Sequence, residues 1–297
     1  SSEILKPWID GAAVQKWREE DSEQSIILFP KGWTNERFGV VVEDEAKQAL
    51  AQQFPAIWAH LEPQEESLRR RTDQGLFWWE LRSCAYYDSL KRPKIIYRDI
   101  AAAPTFFLDK HSKINDTTSY FLPTSEPFLL GLLNSDLLWF SLLSQTTKAR
   151  GGYYRFKAQY IEPLPIPDAT SAQKAALGAL AEAAQTAAEK RYKLQQSITR
   201  RIPDLATDPA TAKLSTKLKE WWKLPDFAAF QKEVKKTLKA EIPLKDRNDW
   251  EDLIKEKRDQ INALTAEIAQ AENAINAQVY ELFDLTPDEI ELLEANV

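Results

Sequence analysis

Two stretches of this 297-residue sequence combine basic and aromatic side chains in a way that suits contact with a phosphate backbone. Residues 69–113 contain ten basic and five acidic side chains, and residues 148–157 contain four basic and no acidic ones. Lysine and arginine hold phosphates, and the forked guanidinium of arginine also pairs with guanine. The whole chain has a net charge of −6, which by itself argues against nucleic-acid binding. Binding therefore requires that the fold gather these charges on one face.

We predict three groups of nucleic-acid-binding positions. The first is a loop over residues 31–37, the second follows predicted strand ends, and the third flanks Gly151 and Gly152, where glycine lets the backbone approach a phosphate closely. The residues are Lys31, Trp33, Asn35 and Arg37; Arg82, Arg92, Arg98, Lys110, His111 and Lys113; and Lys148, Arg150, Tyr153, Tyr154, Arg155 and Lys157. For each position the alternative is a solvated charge or a packed aromatic side chain. We assign Trp79, Tyr97, Phe106 and Phe107 to the core because they lie inside apolar runs.

The motifs that methyl-donor and nucleotide chemistry require are missing from the sequence. Its eight glycines form no Gly-x-Gly-x-x-Gly turn and no Walker loop, and no Asn- or Asp-Pro-Pro-aromatic loop is present. One cysteine and two histidines argue against a protein-only metal site. The carboxylates of Glu43–Glu45 and Asp246–Asp249 are typical of a charge run and of a helix start. We therefore predict no catalytic residue, no metal and no cofactor in this chain.

The elements that must position the candidate residues indicate an α+β fold before about residue 168. Helical spacing of apolar residues predicts helices over Glu45–His60 and Pro127–Ser144. Short apolar runs of strand length predict β-strands at Ser25–Phe29, Gly39–Val42, Pro93–Tyr97 and Thr105–Leu108.

Three alternate prolines at Pro163, Pro165 and Pro167 interrupt regular structure and predict a domain boundary. Beyond it, apolar stripes from Leu177 to Ile198 and from Ile254 to Leu282 predict two long helices packed as an antiparallel hairpin. Residues 203–248, rich in aromatics, predict a small helical cap on this hairpin. We therefore expect two domains, residues 1–168 and 169–297, the second all-α.

Six short strings, in this order, resemble the TaqI-like carboxy-terminal specificity domain of type IIG restriction-modification enzymes and adenine-specific DNA methyltransferases, including BREX-type methyltransferases. They are Leu5-Lys6-Pro7-Trp8, Trp79-Glu80-Leu81-Arg82, Arg92-Pro93-Lys94-Ile95-Ile96-Tyr97-Arg98-Asp99-Ile100, Pro104-Thr105-Phe106-Phe107-Leu108-Asp109, Leu130-Gly131-Leu132-Leu133-Asn134-Ser135, and Gly152-Tyr153-Tyr154-Arg155-Phe156 leading into residues 160–167. Val279-Tyr280-Glu281-Leu282-Phe283-Asp284 also resembles the ending of these enzymes.

The resemblance implies a DNA target-recognition module without catalysis of its own. It implies that double-stranded DNA and the methyltransferase domain of a parent protein are its partners, and that S-adenosylmethionine binds in that catalytic domain. Given this resemblance, we expect about half of the candidate residues to contact DNA. The helical hairpin would act as a spacer and brace that holds the recognition domain opposite the catalytic domain.

Two other functions stay open from the sequence. A helical protein-interaction adaptor without DNA affinity fits the acidic total and the coiled-coil-like ending, and a nuclease with an unrecognised site is a third hypothesis. The chain begins with Ser1 and Ser2 and contains no methionine, so we expect a processed or engineered start and a fragment of a longer protein. No run is apolar enough for a membrane span and no secretory signal is evident, which leads us to expect a cytoplasmic protein.

Overall fold

The computed structural model describes residues 3–297 and has the α+β class that the sequence predicts. Ser1 and Ser2, on which the expectation of a processed start depends, lie outside the described residues. The strands are β1 (Leu5–Ile9), β2 (Val14–Gln15), β3 (Arg18–Glu19), β4 (Ser25–Ile27), β5 (Lys94–Arg98), β6 (Ile100–Ala101), β7 (Phe107–Asp109), β8 (Ile114–Asn115), β9 (Ser119–Leu122) and β10 (Tyr154–Arg155).

The helices alternate with these strands in the first half and take over completely after it. They are α1 (Trp33–Phe38), α2 (Glu43–Gln53), α3 (Pro55–Leu61), α4 (Glu65–Arg69), α5 (Tyr87–Leu90), α6 (Pro127–Leu133), α7 (Asp136–Gln145), α8 (Ala158–Ile161), α9 (Ser171–Thr199), α10 (Thr216–Lys219), α11 (Phe227–Leu238), α12 (Arg247–Leu282) and α13 (Pro287–Glu294).

The strands form small sheets rather than one large sheet. Strand β5 lies between β7 and β9 and is antiparallel to both, with Lys94 opposite Asp109 at one end and Arg98 opposite Ser119 at the other. Strand β1 pairs antiparallel with β4 and parallel with β8. The pairs β2–β3 and β6–β10 are antiparallel two-stranded ribbons.

Three local predictions change in the structure. The predicted strand Gly39–Val42 is wrong: Gly39 ends α1 in a left-handed conformation and Val42 is the N-cap of α2, so these residues only connect two helices. The predicted helix Glu45–His60 is two helices, because Pro55 has no amide hydrogen to continue the first. The predicted helix Pro127–Ser144 is likewise split, with a 61° bend, where the Ser135 side chain caps α7.

The outer edge of β7 is covered by two side-chain amides. The Asn134 amide donates to the Phe106 carbonyl at 2.9 Å and accepts from its N–H at 3.3 Å. The Gln185 amide on α9 does the same for Leu108, at 2.9 and 2.8 Å. Without these amides the Leu108 N–H and carbonyl and the Phe106 N–H would lack partners, whereas the Phe106 carbonyl also accepts the Trp17 N–H at 3.0 Å. Both amides therefore stand in for a neighbouring strand.

The two long helices α9 and α12 pack against each other as the predicted hairpin, which we call the helical hairpin. Its base shares one buried cluster with the α+β half, including Leu177 and Ile275 together with Tyr97 and Phe106. Its far end, around Ile198, builds a separate cluster with the helical cap, residues 203–248. A single apolar core therefore runs across the proline-rich segment, which lies between α8 and α9.

Among residues 3–297, no single helix has both the length and the apolar composition to cross a membrane, although the bent pair α6 and α7 meets that test jointly. Within the same residues, no group of three or more histidine, cysteine, aspartate or glutamate side chains is placed to hold a metal ion.

Candidate nucleic-acid interface

A short β-hairpin over residues 147–157, which we call the basic hairpin, carries the third group of candidate residues. Its turn passes through Gly151 and Gly152, whose φ angles of 81° and 82° lie in the left-handed region that glycine tolerates. The Ala149 amide donates to the Tyr153 carbonyl at 2.7 Å and closes the turn. Strand β10 then pairs with β6, so the basic hairpin is anchored directly after the end of β5.

The basic hairpin presents cations without internal partners. Lys148 and Arg150 are exposed and Lys157 is half-buried, and in the described chain none of the three has a carboxylate oxygen within 4.0 Å of a side-chain nitrogen. Tyr153 is 44% exposed, next to the glycine turn. Unpaired cations beside an exposed aromatic ring and a flexible backbone turn are the groups that phosphate and base contacts require.

Two other residues of this group have structural contacts. The Tyr154 ring meets Trp139 edge-on at 5.3 Å between centroids, which ties the basic hairpin to α7. The Arg155 guanidinium lies 3.6 Å from the Asp99 carboxylate and keeps 39% of its side chain exposed. Tyr154 thus supports the turn, while Arg155 is partly available to a ligand.

Arg98, a candidate from the second group, points into the protein. It donates to the carbonyls of Val14 and Ala12, each at 2.6 Å, and so fixes the loop between β1 and β2. Burial lowers the pKa of its guanidinium below the ordinary value. Arg98 also lines an open cleft of about 520 Å³ together with Asp10 and Asp99.

The loop Lys110–Lys113 is built on a buried ion pair. Lys94, fully buried, lies 2.7 Å from the Asp109 carboxylate, which also accepts the amides of His111 and Lys113 at 2.9 and 2.8 Å. Two amide bonds to one aspartate shape the tight turn that follows β7. His111 at the tip of this turn is exposed.

The lysines of this loop have partners on other elements. Lys113 lies 2.6 Å from Glu19, and only 14% of its side chain is exposed. Burial raises the pKa of the Glu19 carboxyl, although the Lys113 ion pair opposes the shift. Lys110 is 3.8 Å from Glu182 on α9, with both side chains about half exposed. The loop therefore faces the helical hairpin on one side.

The loop Lys110–Lys113 of the second group and the basic hairpin lie at opposite ends of β5. The loop Lys110–Lys113 follows the end marked by Lys94, whereas the basic hairpin joins the end marked by Arg98. Five residues of extended chain separate these ends by about 13 Å. The fold thus brings Arg98 close to the basic hairpin and keeps the loop Lys110–Lys113 apart from it.

The first group is organised by the buried carboxylate of Glu80. It accepts the amides of Gly32 at 2.9 Å, Thr34 at 2.9 Å and Leu76 at 2.8 Å, and so caps the N-terminus of α1. A side chain at Gly75 would have no room, because its Cβ would lie 2.5 Å from the Glu80 Cβ.

Within this group the candidates have different environments. Trp33 packs against Phe29 at 4.9 Å between ring centroids, and Arg37 lies 3.6 Å from Glu3. Asn35 is half-buried.

Across the first and second groups, three exposed cations have no carboxylate within 4.0 Å in the part of the chain that the structure describes. They are Lys31 of the first group and Arg82 and Arg92 of the second.

Comparison with known proteins identifies the α+β half. The sequence profile of the TaqI-like C-terminal specificity domain matches residues 6–166. The chain belongs to this family. A second profile, a domain of unknown function (DUF8810), matches residues 170–279. The type II methyltransferase M.BanIII of Aneurinibacillus aneurinilyticus is 26% identical over 192 residues, which are 58% of this chain and 31% of that protein. The chain therefore spans about a third of this relative's length.

The short strings that carry the resemblance have physical roles in the specificity domain. In one, Trp79 donates to the Thr34 hydroxyl at 2.9 Å, next to the cap formed by Glu80. In others, Asn134 covers β7 and the pair Lys94 and Asp109 shapes the next loop. These positioning residues were missed from sequence, although a charged residue inside an apolar run is the signal that marks Glu80 and Lys94. The predicted core residues Trp79, Tyr97, Phe106 and Phe107 are confirmed as buried.

Proposed function

We propose that this chain recognises a DNA sequence on behalf of a type IIG restriction-modification enzyme or an adenine-N6 DNA methyltransferase. The specificity-domain family and the similarity to a type II methyltransferase support the proposal. A catalytic domain outside residues 1–297 would bind S-adenosylmethionine and transfer the methyl group. Residues of this chain would bind and orient the duplex and take no part in bond making.

The basic hairpin is the observation that carries this proposal. It combines unpaired cations at Lys148, Arg150 and Lys157 with an exposed tyrosine and a double-glycine turn. Because Arg150 lies at the tip of the turn, we assign it the task of entering a groove, where a guanidinium can pair with guanine. Lys148 and Lys157 would hold phosphates on either side and set the register.

We propose that exposed side chains of the other two groups make further DNA contacts: Lys31, Arg82, Arg92 and His111. The loops of Lys31 and His111 are anchored by the buried carboxylates of Glu80 and Asp109, so their backbones are positioned before DNA arrives. Preorganised loops lose less conformational entropy on binding than flexible ones. Arg98 we assign to loop positioning instead, since its guanidinium already donates to two carbonyls.

The helical hairpin is proposed as the brace of the recognition surface. Gln185 and the shared buried cluster fix its base to β7, so a rotation of α9 would move the specificity domain with it. This rigid connection suits an element that sets the distance between recognition and catalytic domains.

Fluorescence anisotropy with a labelled random-sequence duplex tests the DNA affinity. The logarithm of the binding constant should fall linearly with the logarithm of the salt concentration. The double variant Lys148→Gln/Lys157→Gln should lower the magnitude of this slope by about 1.8, because each lost phosphate contact contributes about 0.9. The control Lys190→Gln/Lys255→Gln removes the same charge from the exposed shaft of the helical hairpin.

Selection from a random duplex pool tests sequence recognition separately. The wild-type chain should enrich one sequence, and Arg150→Gln should weaken the preference at a single base position by about 1–3 kcal/mol. Equal slopes for the binding variant and the control, or a pool that stays random, would contradict the proposal. Absence of any salt-dependent binding would favour the protein-interaction adaptor.

A further inference from the structure

The helical cap carries a positive surface that the two basic windows of the α+β half do not include. Residues 213–239 contain eight lysines and three acidic residues, in a chain whose net charge is −6. All eight lysines are exposed. This segment lies within the region matched by the domain of unknown function.

Each acidic residue of the segment is engaged within the cap. Glu233 is buried and accepts from the Ser215 and Thr237 hydroxyls at 2.8 and 3.2 Å. Asp226 caps α11 by accepting the Ala229 amide at 2.7 Å, and Glu220 pairs with a lysine of its own turn. The carboxylates therefore stabilise the fold of the cap, and most of the lysines of this segment have no carboxylate close to their ammonium groups.

Two of the remaining lysines share one side of α11. Lys232 and Lys236 are four residues apart on this helix, opposite the buried Phe230 and Val234, and Lys239 is the left-handed C-cap that follows it; we call these three residues and Lys217 of α10 the lysine face. In the part of the chain that the structure describes, six of the eight lysines have no carboxylate within 4.0 Å: Lys213, Lys217, Lys219, Lys232, Lys236 and Lys239.

Electrostatics link α10 to α11 on this face. The pKa of the buried Glu233 carboxyl is lowered, first by the Ser215 hydrogen bond and also by the positive charges of Lys236 and Lys217. The hydrogen bond from Ser215, the N-cap of α10, to Glu233 on α11 holds the two helices together, two residues before Lys217 and three before Lys236. The cap thus concentrates positive charge from two elements at one place.

The cap is fixed to the end of α9, which the specificity domain also contacts, since Arg200 lies 2.7 Å from Asp21. The Trp221 indole donates to the Gln195 carbonyl at 3.0 Å, and Trp221 is fully buried among the residues of the cap and the helical hairpin. Gln195 lies ten residues beyond Gln185, which is about 15 Å along α9. A duplex several turns long can therefore meet both the specificity domain and the cap.

We propose that the lysine face of the helical cap is a second DNA-binding site, which holds the phosphate backbone of duplex DNA outside the recognition sequence. The inference rests on the proposed function for its ligand. Lysine ammonium groups on a helix face are suited to binding phosphates. They lack the planar pair of donors with which an arginine guanidinium binds a base edge. The cap should therefore add affinity without adding sequence preference.

The test uses the whole chain and a labelled random-sequence duplex of about 30 base pairs, long enough at about 3.4 Å per base pair to span both surfaces. The variant Lys232→Gln/Lys236→Gln should lower the salt-dependence slope by about 1.8, at about 0.9 for each phosphate contact. The independent variant Lys217→Gln/Lys239→Gln should do the same, which guards against a folding defect in the first.

The control is again Lys190→Gln/Lys255→Gln. If both cap variants match it, the second site is overturned. If the cap variants lose slope while Lys148→Gln/Lys157→Gln does not, the second site stands and the proposed recognition surface fails. In selection from a random pool, cap variants should enrich the same sequence as the wild type, and a changed sequence would contradict a site that contacts only the backbone.

Discussion

Replacing Gln185 by leucine should destabilise the α+β half although the residue belongs to the helical half. The Gln185 amide accepts the Leu108 N–H at 2.8 Å and donates to the Leu108 carbonyl at 2.9 Å, and its side chain is buried. Leucine has a similar size but no polar atoms. The variant would therefore leave one buried donor and one buried acceptor of β7 without partners.

The expected loss follows from these two groups. An unsatisfied buried donor or acceptor costs about 1–3 kcal/mol, so the loss of both should lower the free energy of unfolding by about 2–6 kcal/mol. A loss of this size is a large fraction of the 5–15 kcal/mol typical of a folded domain. The matched control is Gln196→Leu, also on α9, at a half-buried position whose side chain makes no hydrogen bond within residues 3–297.

Urea unfolding, monitored by tryptophan fluorescence, measures the effect. Trp17 and Trp139 lie in the buried cluster that the α+β half shares with the base of the helical hairpin. Hydrogen exchange gives the local readout: the amide of Leu108 should lose protection in Gln185→Leu and keep it in the control. Equal unfolding midpoints for the two variants, with Leu108 still protected, would refute the role of Gln185 as a substitute strand.

Three further predictions concern buried groups around the candidate interface. Glu80→Gln replaces a carboxylate that accepts three amides, and it should lower the free energy of unfolding by about 2–4 kcal/mol. The control Glu66→Gln, at an exposed position, should change it by less than about 1 kcal/mol. Urea unfolding measures both. In the same assay, Gly75→Ala should cost about 1–3 kcal/mol from overpacking, and Gly39→Ala, which has open space around it, should cost about 1–2 kcal/mol from left-handed backbone strain alone. Burial raises the pKa of Glu19 above 4.5, so the folded wild type holds a proton that the unfolded chain releases. Its stability relative to Glu19→Gln should therefore fall as the pH rises from 4.5 through the folded-state value, measured by urea unfolding at several pH values.

The sequence alone determined the fold class, most elements and the family. Periodic apolar residues predict α9 and α12 because a long helix repeats one local pattern many times. Proline positions are also local signals, and they mark the end of α8 and the start of α9. The strand at residues 93–97 was predicted for the same reason, since a run of β-branched and aromatic residues favours extended chain.

Other features were decided only by tertiary contacts. The valines of the segment 39–42 favour extended chain by propensity. In the structure this short segment connects α1 to α2 and forms no hydrogen-bonded pair with a strand within residues 3–297. Likewise, Glu80 accepts the Thr34 amide 46 residues away and Gln185 bonds to Leu108 77 residues away, so nothing near them in sequence indicates these partners.

The placement of charge was the last property that the tertiary structure decided. Composition located basic windows at residues 69–113 and 148–157, but the fold turned Arg98 inward and paired Lys113 with Glu19. Within the basic hairpin, Arg155 lies near Asp99, while Lys148, Arg150 and Lys157 have no carboxylate within 4.0 Å among residues 3–297. Local sequence fixes which charges exist, and long-range packing fixes which of them face solvent, because a salt bridge or a buried guanidinium needs a partner brought close by the rest of the chain.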